Sequence, residues 1–267
     1  MQTEKAFELD FDIAVYAVNE DRFLASCIKS IDAASEGFRA HINVILNGTT
    51  DDSISTLQHT TLSHAKMTVY YLGIADKANA INQYIYKLRN KAHFYISMDA
   101  YATIAPGSLS AFRDAFEMNS DAHIVSAVPL RGRSAETVTR MSLQGGVVNG
   151  QCYGMRGHFV DHVVAAGIRL PQYLYRVDGL LGSIAAHNTD PLRNPWDNRR
   201  IIASKDAKFS IVPLSIFSFR DILRQFKREI KQSRGFLENQ AIKAIIYQSG
   251  YTALPENADR MVFNLLR

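Results

Sequence analysis

The sequence predicts an α/β fold with a mainly parallel central sheet flanked by helices, and two observations support this. The first half of the 267-residue chain alternates short, β-rich apolar runs with segments of helical spacing. Strands separated by helices in this rhythm form parallel sheets with helices on both faces. Polar residues close three of these apolar runs, namely Asn19, Asn47 and Asp99. Sheets of this kind bind ligands beyond the carboxyl ends of their strands.

Five strands and four intervening helices follow from the spacing of apolar residues in the first 130 positions. Between Asp21 and Ala34, for example, Leu24, Ile28 and Ile31 recur at helical spacing. Pro106 stands where a helix often begins, because its fixed φ suits a first turn. The predicted strands cover 12–18, 41–46, 67–72, 93–98 and 123–129, and the predicted helices cover 21–34, 51–62, 77–90 and 106–118.

The second half of the chain is less regular. Residues 141–157 hold five of the fifteen glycines, which predicts bends and close backbone approaches near a ligand. A helical stretch is expected from His158 to about Gly167. Short strands are predicted in "RIIAS" (200–204) and in "KFSIVP" (208–213).

The composition is that of a globular protein. With 47% hydrophobic and 21% charged residues, the chain has enough apolar material for one large core. No apolar run approaches 18 residues, so a membrane-spanning helix is not expected, and the charged N-terminus does not resemble a signal peptide. Cys27 and Cys152 lack metal-ligand spacing, so we expect a reduced, cytoplasmic protein without disulfides.

The positive charge is concentrated in one segment. The formal net charge is +4, and residues 217–234 carry six basic and two acidic side chains, 6 − 2 = +4. The rest of the chain is balanced, which argues against nucleic-acid binding. The apolar positions from Phe219 to Ile230 follow helical spacing. This segment could pack on the core, carry site residues or lie on a membrane surface.

Several common motifs are missing, and several polar residues have a structural alternative. There is no glycine-rich phosphate loop after the first strand and no serine nucleophile elbow. His158 and His162 are one helical turn apart, but without a third ligand a solvated helix face explains them better than a metal site. Trp196 could stack on a sugar or anchor its own loop.

Eight short motifs follow one another between residues 10 and 235. They are "VYAVNEDRFLASCIKSI", "VILNGTTDDS", "DKANAINQYI", "YISMDAYATIAPGSL", "GQCYGMRGHFV", "LPQYLYRVDGLLG", "ASKDAKFSIVP" and "RQFKRE". In this order they resemble the motifs of family 2-type inverting glycosyltransferases, which use nucleotide-diphosphate sugars. The resemblance implies a GT-A (Rossmann-like nucleotide-diphospho-sugar transferase) fold. It would place a nucleotide-sugar half at 1–130, an acceptor and catalytic-base half at 131–215, and a basic helical region at 216–267.

The resemblance also implies roles for individual residues. Asp178 would be the general base that takes the proton of the acceptor hydroxyl. Asp99 would hold Mg²⁺ or Mn²⁺ against the diphosphate. Apart from the motifs, His187, nine residues after Asp178, could be a further metal ligand. From the residues alone, Asp99 is better explained as a cap of the turn before Pro106. An N-cap role for Asp178, ahead of "GLLGSIAAH", is compatible with its role as the base. The donor nucleotide would be bound by Asn19, Glu20, Asn47, Lys77, Asn82, Arg156, Gln225 and Arg228. Taken singly, Glu20 and Arg156 are better explained by capping or surface solvation, while the whole local motifs support Asn47 and Lys77.

The first strand departs from the family pattern at Tyr16, Ala17 and Val18, and two further departures keep an alternative open. Tyr101 stands where a second acidic residue is usual, and Glu229 replaces a tryptophan. A catalytically silent relative that only binds nucleotide sugars is therefore the main alternative. A nucleotidyltransferase is disfavoured, because "VNEDRF" is acidic where such enzymes carry a basic glycine-rich loop. The expected acceptor is a glycan or a lipid-linked molecule in polysaccharide biosynthesis, and residues 217–234 could contact the inner membrane face.

Overall fold

The computed structural model describes residues 9–132, 134–211 and 219–265, and the side chains of 219–233 lie outside this description. No helix among the described residues combines the length and the apolar composition needed to cross a membrane.

The described strands form one eight-stranded sheet in the order β3-β2-β1-β4-β7-β6-β8-β5. Four neighbouring pairs are parallel, while β7 runs antiparallel to both β4 and β6, and β5 runs antiparallel to β8. The predicted mainly parallel α/β fold is confirmed. The strands are β1 (Leu9–Ala17), β2 (Ala40–Asn47), β3 (Lys66–Leu72), β4 (Ala92–Asp99), β5 (Ala102–Ile104), β6 (Ile124–Pro129), β7 (Cys152–Arg156) and β8 (Ile201–Ile211).

Helices cover both faces of this sheet. The helix from Lys77 continues without a break as a π-helical turn over Tyr84–Leu88, so the predicted helix at 77–90 changes its hydrogen-bond register half-way. The helices are α1 (Asp21–Ala34), α2 (Ser53–Gln58), α3 (Lys77–Gln83), α4 (Ser108–Met118), α5 (Ala135–Leu143), α6 (Gly157–Ala165), α7 (Val177–Ala186), α8 (Phe219–Ser249) and α9 (Ala258–Leu265).

Two apolar cores lie on the two faces of the sheet, and β1 shows how the sequence builds both. Its side chains alternate, so that Ile13 and Val15 join one core while Ala14 and Tyr16 join the other. Helix α1 closes the first core with fully buried residues such as Leu24. Full burial of a leucine side chain is worth about 1.5–3 kcal/mol. Strands buried on both faces explain the near-continuous apolar runs in the sequence.

The second half differs from the sequence-based expectation in three ways. Residues 152–156 were expected to bend, but they form β7, a strand between β4 and β6. A Cβ atom on Gly154 would lie 3.0 Å from Ile96 Cδ1, so this glycine permits close packing inside the sheet. The two short strands expected at 200–204 and 208–213 are one strand, β8, with a register shift opposite Ala127 and Val128. Helix α5 was not predicted.

The strand directions bring several chain segments to one edge of the sheet. Strands β1, β2, β4 and β6 all end at this edge, which we call the carboxyl edge. Because β7 is antiparallel to β4 and pairs Cys152 with Met98, the loop before β7 reaches the same edge. Segments from both sides of residue 130 therefore meet there.

Candidate active site

Asp99 ends β4 at the carboxyl edge, and its backbone is held from both sides. Its register partner on β1 is Tyr16, whose carbonyl oxygen accepts a 3.0 Å hydrogen bond from Ala100 N. The backbone N–H of Asp99 donates to the carbonyl oxygen of Gln151 at 3.1 Å. The position of the Asp99 carboxylate is therefore set by β1 and by the loop before β7.

Both carboxylate oxygens of Asp99 accept hydrogen bonds. Lys77 Nζ donates to Oδ1, and the Tyr101 hydroxyl donates to Oδ2 at 2.7 Å. The Asp99 side chain is only 13% exposed. Burial and the nearby charge of Asp99 raise the pKa of Tyr101. Tyr101 thus stays a protonated hydroxyl that donates to Asp99, and it does not replace the missing second carboxylate as an anion.

Lys77 is the first residue of α3, and a capped helix terminus fixes it. The preceding Asp76 is buried and accepts hydrogen bonds from the backbone N–H groups of Ala78 and Asn79, both at 3.1 Å. The same carboxylate accepts from Tyr173 N at 3.0 Å. Asp76 therefore joins the start of α3 to the loop that leads to α7.

Gly150 connects Lys77 with Asp178. The Gly150 carbonyl oxygen accepts a 3.1 Å hydrogen bond from Lys77 Nζ. A Cβ atom on Gly150 would lie 3.2 Å from Asp178 Oδ2, so the absence of a side chain lets this carboxylate pack against the loop. Asp178 lies in the first turn of α7, where the helix dipole favours a negative charge. The structure brings Asp99, Lys77 and Asp178 together around one glycine.

Asn47 ends β2 at the same edge with unused hydrogen-bonding capacity. The residue is 1% exposed, and neither side-chain amide atom has a hydrogen-bond partner among the described residues. Leaving a buried amide unsatisfied costs about 1–3 kcal/mol. The following Gly48 has φ +67° and packs so closely on Ala75 that a Cβ atom would collide with its backbone. A ligand that satisfies the Asn47 amide would remove this cost.

Asn19 and Glu20 lie between β1 and α1 at this edge. Asn19 has a positive φ of 55°, and its Oδ1 accepts from Thr50 N at 2.8 Å, which ties the ends of β1 and β2 together. Glu20 is buried, and its charge contributes to the raised pKa of Tyr101. Both predicted positions are thus part of the carboxyl edge.

Asn82 and Arg156 lie elsewhere and are bonded to backbone groups. The Asn82 amide donates to Leu170 O at 2.8 Å and accepts from Leu170 N at 3.0 Å. Arg156 pairs with Phe94, near the start of β4, and so lies at the opposite edge of the sheet. Its guanidinium donates to the carbonyl oxygens of Phe116, Asn119 and Ala122 at 2.6–2.9 Å. The structure does not bring either residue to Asp99.

His187 also lies away from the carboxyl edge. It follows the last turn of α7, at the opposite end of that helix from Asp178. Its Nδ1 is 2.8 Å from Asn194 O and its Nε2 is 3.2 Å from the Tyr247 hydroxyl. Trp196 packs edge-on against the His187 ring, as expected of a loop anchor. Gln225 and Arg228 belong to α8, but their side chains lie outside the described residues.

The residues around Asp99 do not fit a resident divalent ion. Among the described residues, no group of three or more His, Cys, Asp or Glu side chains could hold a metal, and this includes His158 and His162. Asp99 offers one carboxylate, which already accepts from an ammonium and from a hydroxyl. Such ions are bound by several oxygen ligands, usually with carboxylates among them, and a hydrogen-bond donor on each oxygen opposes this.

Sequence reasoning missed Asp76 and Gly150. Asp76 had a signal, because an aspartate directly before a helical run is a preferred N-cap. Gly150 was one of five glycines in 141–157, and no local pattern separates it from the other four.

No protein-family model matches the sequence, and no curated protein matches it. Solved structures do. The mannosyltransferase PcManGT from Pyrobaculum calidifontis, in complex with GDP-Man and Mn²⁺, superposes with a TM-score of 0.64 at 15% identity, over 90% of this chain and 68% of that one. A fragment of TarS from S. aureus, in complex with UDP-GlcNAc, gives 0.56 at 12% identity, over 96% and 71%. The protein has the GT-A fold.

A third similar structure also has the GT-A fold. Glucosyl-3-phosphoglycerate synthase from Mycobacterium tuberculosis, in complex with Mn²⁺ and UDP-glucose, gives a TM-score of 0.55 at 14% identity, over 86% of this chain and 78% of that one. The fold predicted from the eight motifs is thereby confirmed. At these identities the comparison concerns the GT-A fold, and the site of this chain is described by its own residues.

Proposed function

We propose that this protein is an inverting glycosyltransferase that moves a sugar from a nucleotide-diphosphate sugar to an acceptor hydroxyl. One observation carries the proposal: Asp99, Lys77 and Asp178 meet around Gly150 at the carboxyl edge of a GT-A fold. The resemblance of eight ordered motifs and the nucleotide sugars bound to the neighbours PcManGT and TarS support it.

The donor nucleotide would bind along the ends of β1 and β2. The buried Asn47 amide offers one donor group and one acceptor atom with no partner among the described residues, which suits the edge of a nucleobase. Asn19 and Glu20 lie at the adjoining strand end. Lys77, whose side chain is 33% exposed, would contact the diphosphate.

Asp178 is the proposed general base. As the acceptor oxygen attacks the anomeric carbon, its proton passes to the Asp178 carboxylate. The bond from the anomeric carbon to the diphosphate oxygen breaks, and its electron pair stays with the diphosphate. Attack from the face opposite the leaving group inverts the anomeric centre. Asp178 would act from the acceptor side, while Asp99 and Lys77 lie on the diphosphate side.

The metal prediction has support from neighbours and a difficulty in this chain. The neighbours PcManGT and the synthase from M. tuberculosis are complexes with Mn²⁺, and a bound divalent ion would stabilise the leaving diphosphate as a Lewis acid. In this chain Asp99 accepts from Lys77 and Tyr101 instead. The steps proposed above are therefore those of the chain's own side chains.

The acceptor is proposed to be a glycan or a lipid-linked molecule. The predicted amphipathic helix is part of α8, and the sequence gives residues 217–234 a net charge of +4. A basic, amphipathic helix of this kind suits contact with an anionic membrane surface. A cytoplasmic location, contact with the inner membrane face and a role in polysaccharide biosynthesis stay predictions.

A catalytically silent nucleotide-sugar binder is the second candidate, favoured by Tyr101 at the position of the second acid. Two measurements separate the candidates. Isothermal titration with UDP and GDP tests donor binding, and incubation with radiolabelled UDP- and GDP-sugars tests slow donor hydrolysis. Binding with hydrolysis supports the transferase, and binding without hydrolysis supports the silent relative. If no nucleotide binds with or without Mn²⁺, both candidates are wrong.

A further inference from the structure

We propose that the Lys77 ammonium supplies the positive charge that a divalent metal would otherwise bring to the diphosphate, so that donor binding needs no metal. This inference rests on the proposed function and specifies the cation of the same site. It follows from the ion pair between Lys77 and Asp99.

Lys77 is held in place and keeps one donor group to spare. An ammonium group has three N–H donors. The described contacts use two of them, one to Asp99 Oδ1 and one to the carbonyl oxygen of Gly150. The side chain remains 33% exposed, so a ligand at the carboxyl edge can reach it. The third N–H is therefore available to a diphosphate oxygen without breaking either existing contact.

A metal at Asp99 would first have to displace these contacts. The Asp99 charge is balanced by Lys77, and its second oxygen accepts a 2.7 Å hydrogen bond from the Tyr101 hydroxyl. A divalent ion bound at Asp99 would lie next to the Lys77 ammonium, and like charges at that separation repel each other. Asp99 and Tyr101 thus favour the lysine over a metal ion.

The charges of the reaction balance with Lys77 as the cation. When the bond between the anomeric carbon and the diphosphate oxygen breaks, the diphosphate gains one negative charge. The Lys77 ammonium donates a hydrogen bond to it, while the acceptor proton goes to Asp178. A charge-assisted hydrogen bond to phosphate is strong and short. Asp99 and Gly150 act as positioning groups that hold the ammonium where the charge develops.

The test measures nucleotide affinity with the metal removed. UDP and GDP are titrated into the 267-residue chain in EDTA and again in Mn²⁺, using the wild type and Lys77→Met, Lys77→Arg and Lys87→Met. Lys87 is an exposed lysine of the π-helical turn and serves as the matched control. Thermal unfolding of each variant shows whether it folds, and Lys77→Arg tests the charge even if Lys77→Met is unstable.

We expect the wild type to bind one nucleotide equally well in EDTA and in Mn²⁺. Lys77→Met should weaken metal-free binding on the order of 10- to 100-fold, the loss of one hydrogen bond to a charged group. Lys77→Arg should retain most of the affinity, and Lys87→Met should behave as the wild type. Binding that needs Mn²⁺, or Lys77→Met with unchanged affinity, would overturn the role of Lys77 but leave the transferase proposal intact. No nucleotide binding in either buffer would overturn the transferase proposal itself.

A second experiment places an acidic residue at position 101, where the family pattern has one. Tyr101→Asp removes the hydroxyl donor from Asp99 and adds a carboxylate, so nucleotide binding should become stronger with Mn²⁺ than with EDTA. The difference is measured by the same titrations and by the Mn²⁺ electron paramagnetic resonance signal of the protein–nucleotide mixture. If the signal shows that the wild-type protein already binds Mn²⁺ together with the nucleotide, the inference is contradicted.

Discussion

Similar polar side chains lie at the carboxyl edge of the sheet and at the edge opposite to it, but they differ in whether their hydrogen-bonding groups have partners. At the carboxyl edge, the buried Asn47 amide has no partner among the described residues, and the described contacts of Lys77 leave one donor unused. At the opposite edge, Arg156 gives three hydrogen bonds to backbone carbonyl oxygens. The Asn82 amide lies away from both edges, and it donates to and accepts from the backbone of Leu170. Leaving a buried polar group unsatisfied costs stability, so the Asn47 amide would gain from a ligand while Arg156 and Asn82 already have protein partners.

The largest expected effect concerns Asp178. Asp178→Asn should reduce sugar transfer by about 10²–10⁴-fold, the usual contribution of a general base. Donor binding should stay nearly unchanged, because the proposed role of Asp178 is on the acceptor side of Gly150. Transfer or donor hydrolysis is measured at saturating nucleotide sugar, and affinity by titration. A strong loss of nucleotide affinity would instead place Asp178 in the donor site.

At the opposite edge, a substitution should change the stability of the protein. Arg156→Met removes three hydrogen bonds and the contact of the guanidinium with the Phe116 ring, and it should lower the free energy of unfolding by about 2–3 kcal/mol. The control is Arg113→Met, since Arg113 also lies over an aromatic ring, that of Phe38, but otherwise makes exposed ion pairs that contribute about 0–1 kcal/mol. Both are measured by urea unfolding. A loss of nucleotide affinity in Arg156→Met without loss of stability would support the donor-binding role first predicted for Arg156.

The sequence predicted the first half of the fold well because local patterns determine it. Every strand and helix predicted between 12 and 129 exists, since parallel strands buried on both faces give clear apolar runs. Beyond Pro129 the prediction weakened. Strand β7 contains Gly154 and follows a glycine-rich loop, so its local pattern resembled bends, whereas its neighbours β4 and β6 come from distant parts of the chain.

Motifs in the sequence were enough to select several residues of the candidate site, but they did not predict which groups those residues contact. Asp99, Lys77, Asn47 and Asp178 were singled out by motif, and the structure brings them to one edge. Whether an arginine or a histidine faces a ligand or a backbone carbonyl depends on tertiary packing, which spacing does not encode. Arg156 and His187 show this, because a binding role was predicted for each and each is bonded to a backbone carbonyl oxygen.

Asn47 offers a test of the comparison between the edges. Asn47→Ala should weaken nucleotide binding by about tenfold, the value of one or two hydrogen bonds to a base. Its stability should change little, because the substitution removes two unsatisfied polar atoms along with some packing. Titration and thermal unfolding on the same sample measure both quantities. A large loss of stability with unchanged nucleotide affinity would mean that the Asn47 amide is structural.

Tyr101 should show the smallest effect. Tyr101→Phe removes the hydrogen bond to Asp99 Oδ2 but keeps the ring and leaves the Lys77 contact in place. Metal-free nucleotide affinity should therefore change by no more than about threefold, or roughly 0.6 kcal/mol. Because one carboxylate oxygen is then freed while Lys77 still balances the charge, Mn²⁺ should not improve binding as it should in Tyr101→Asp. If Tyr101→Phe alone makes nucleotide binding depend on Mn²⁺, the hydroxyl rather than Lys77 is what keeps the metal from Asp99.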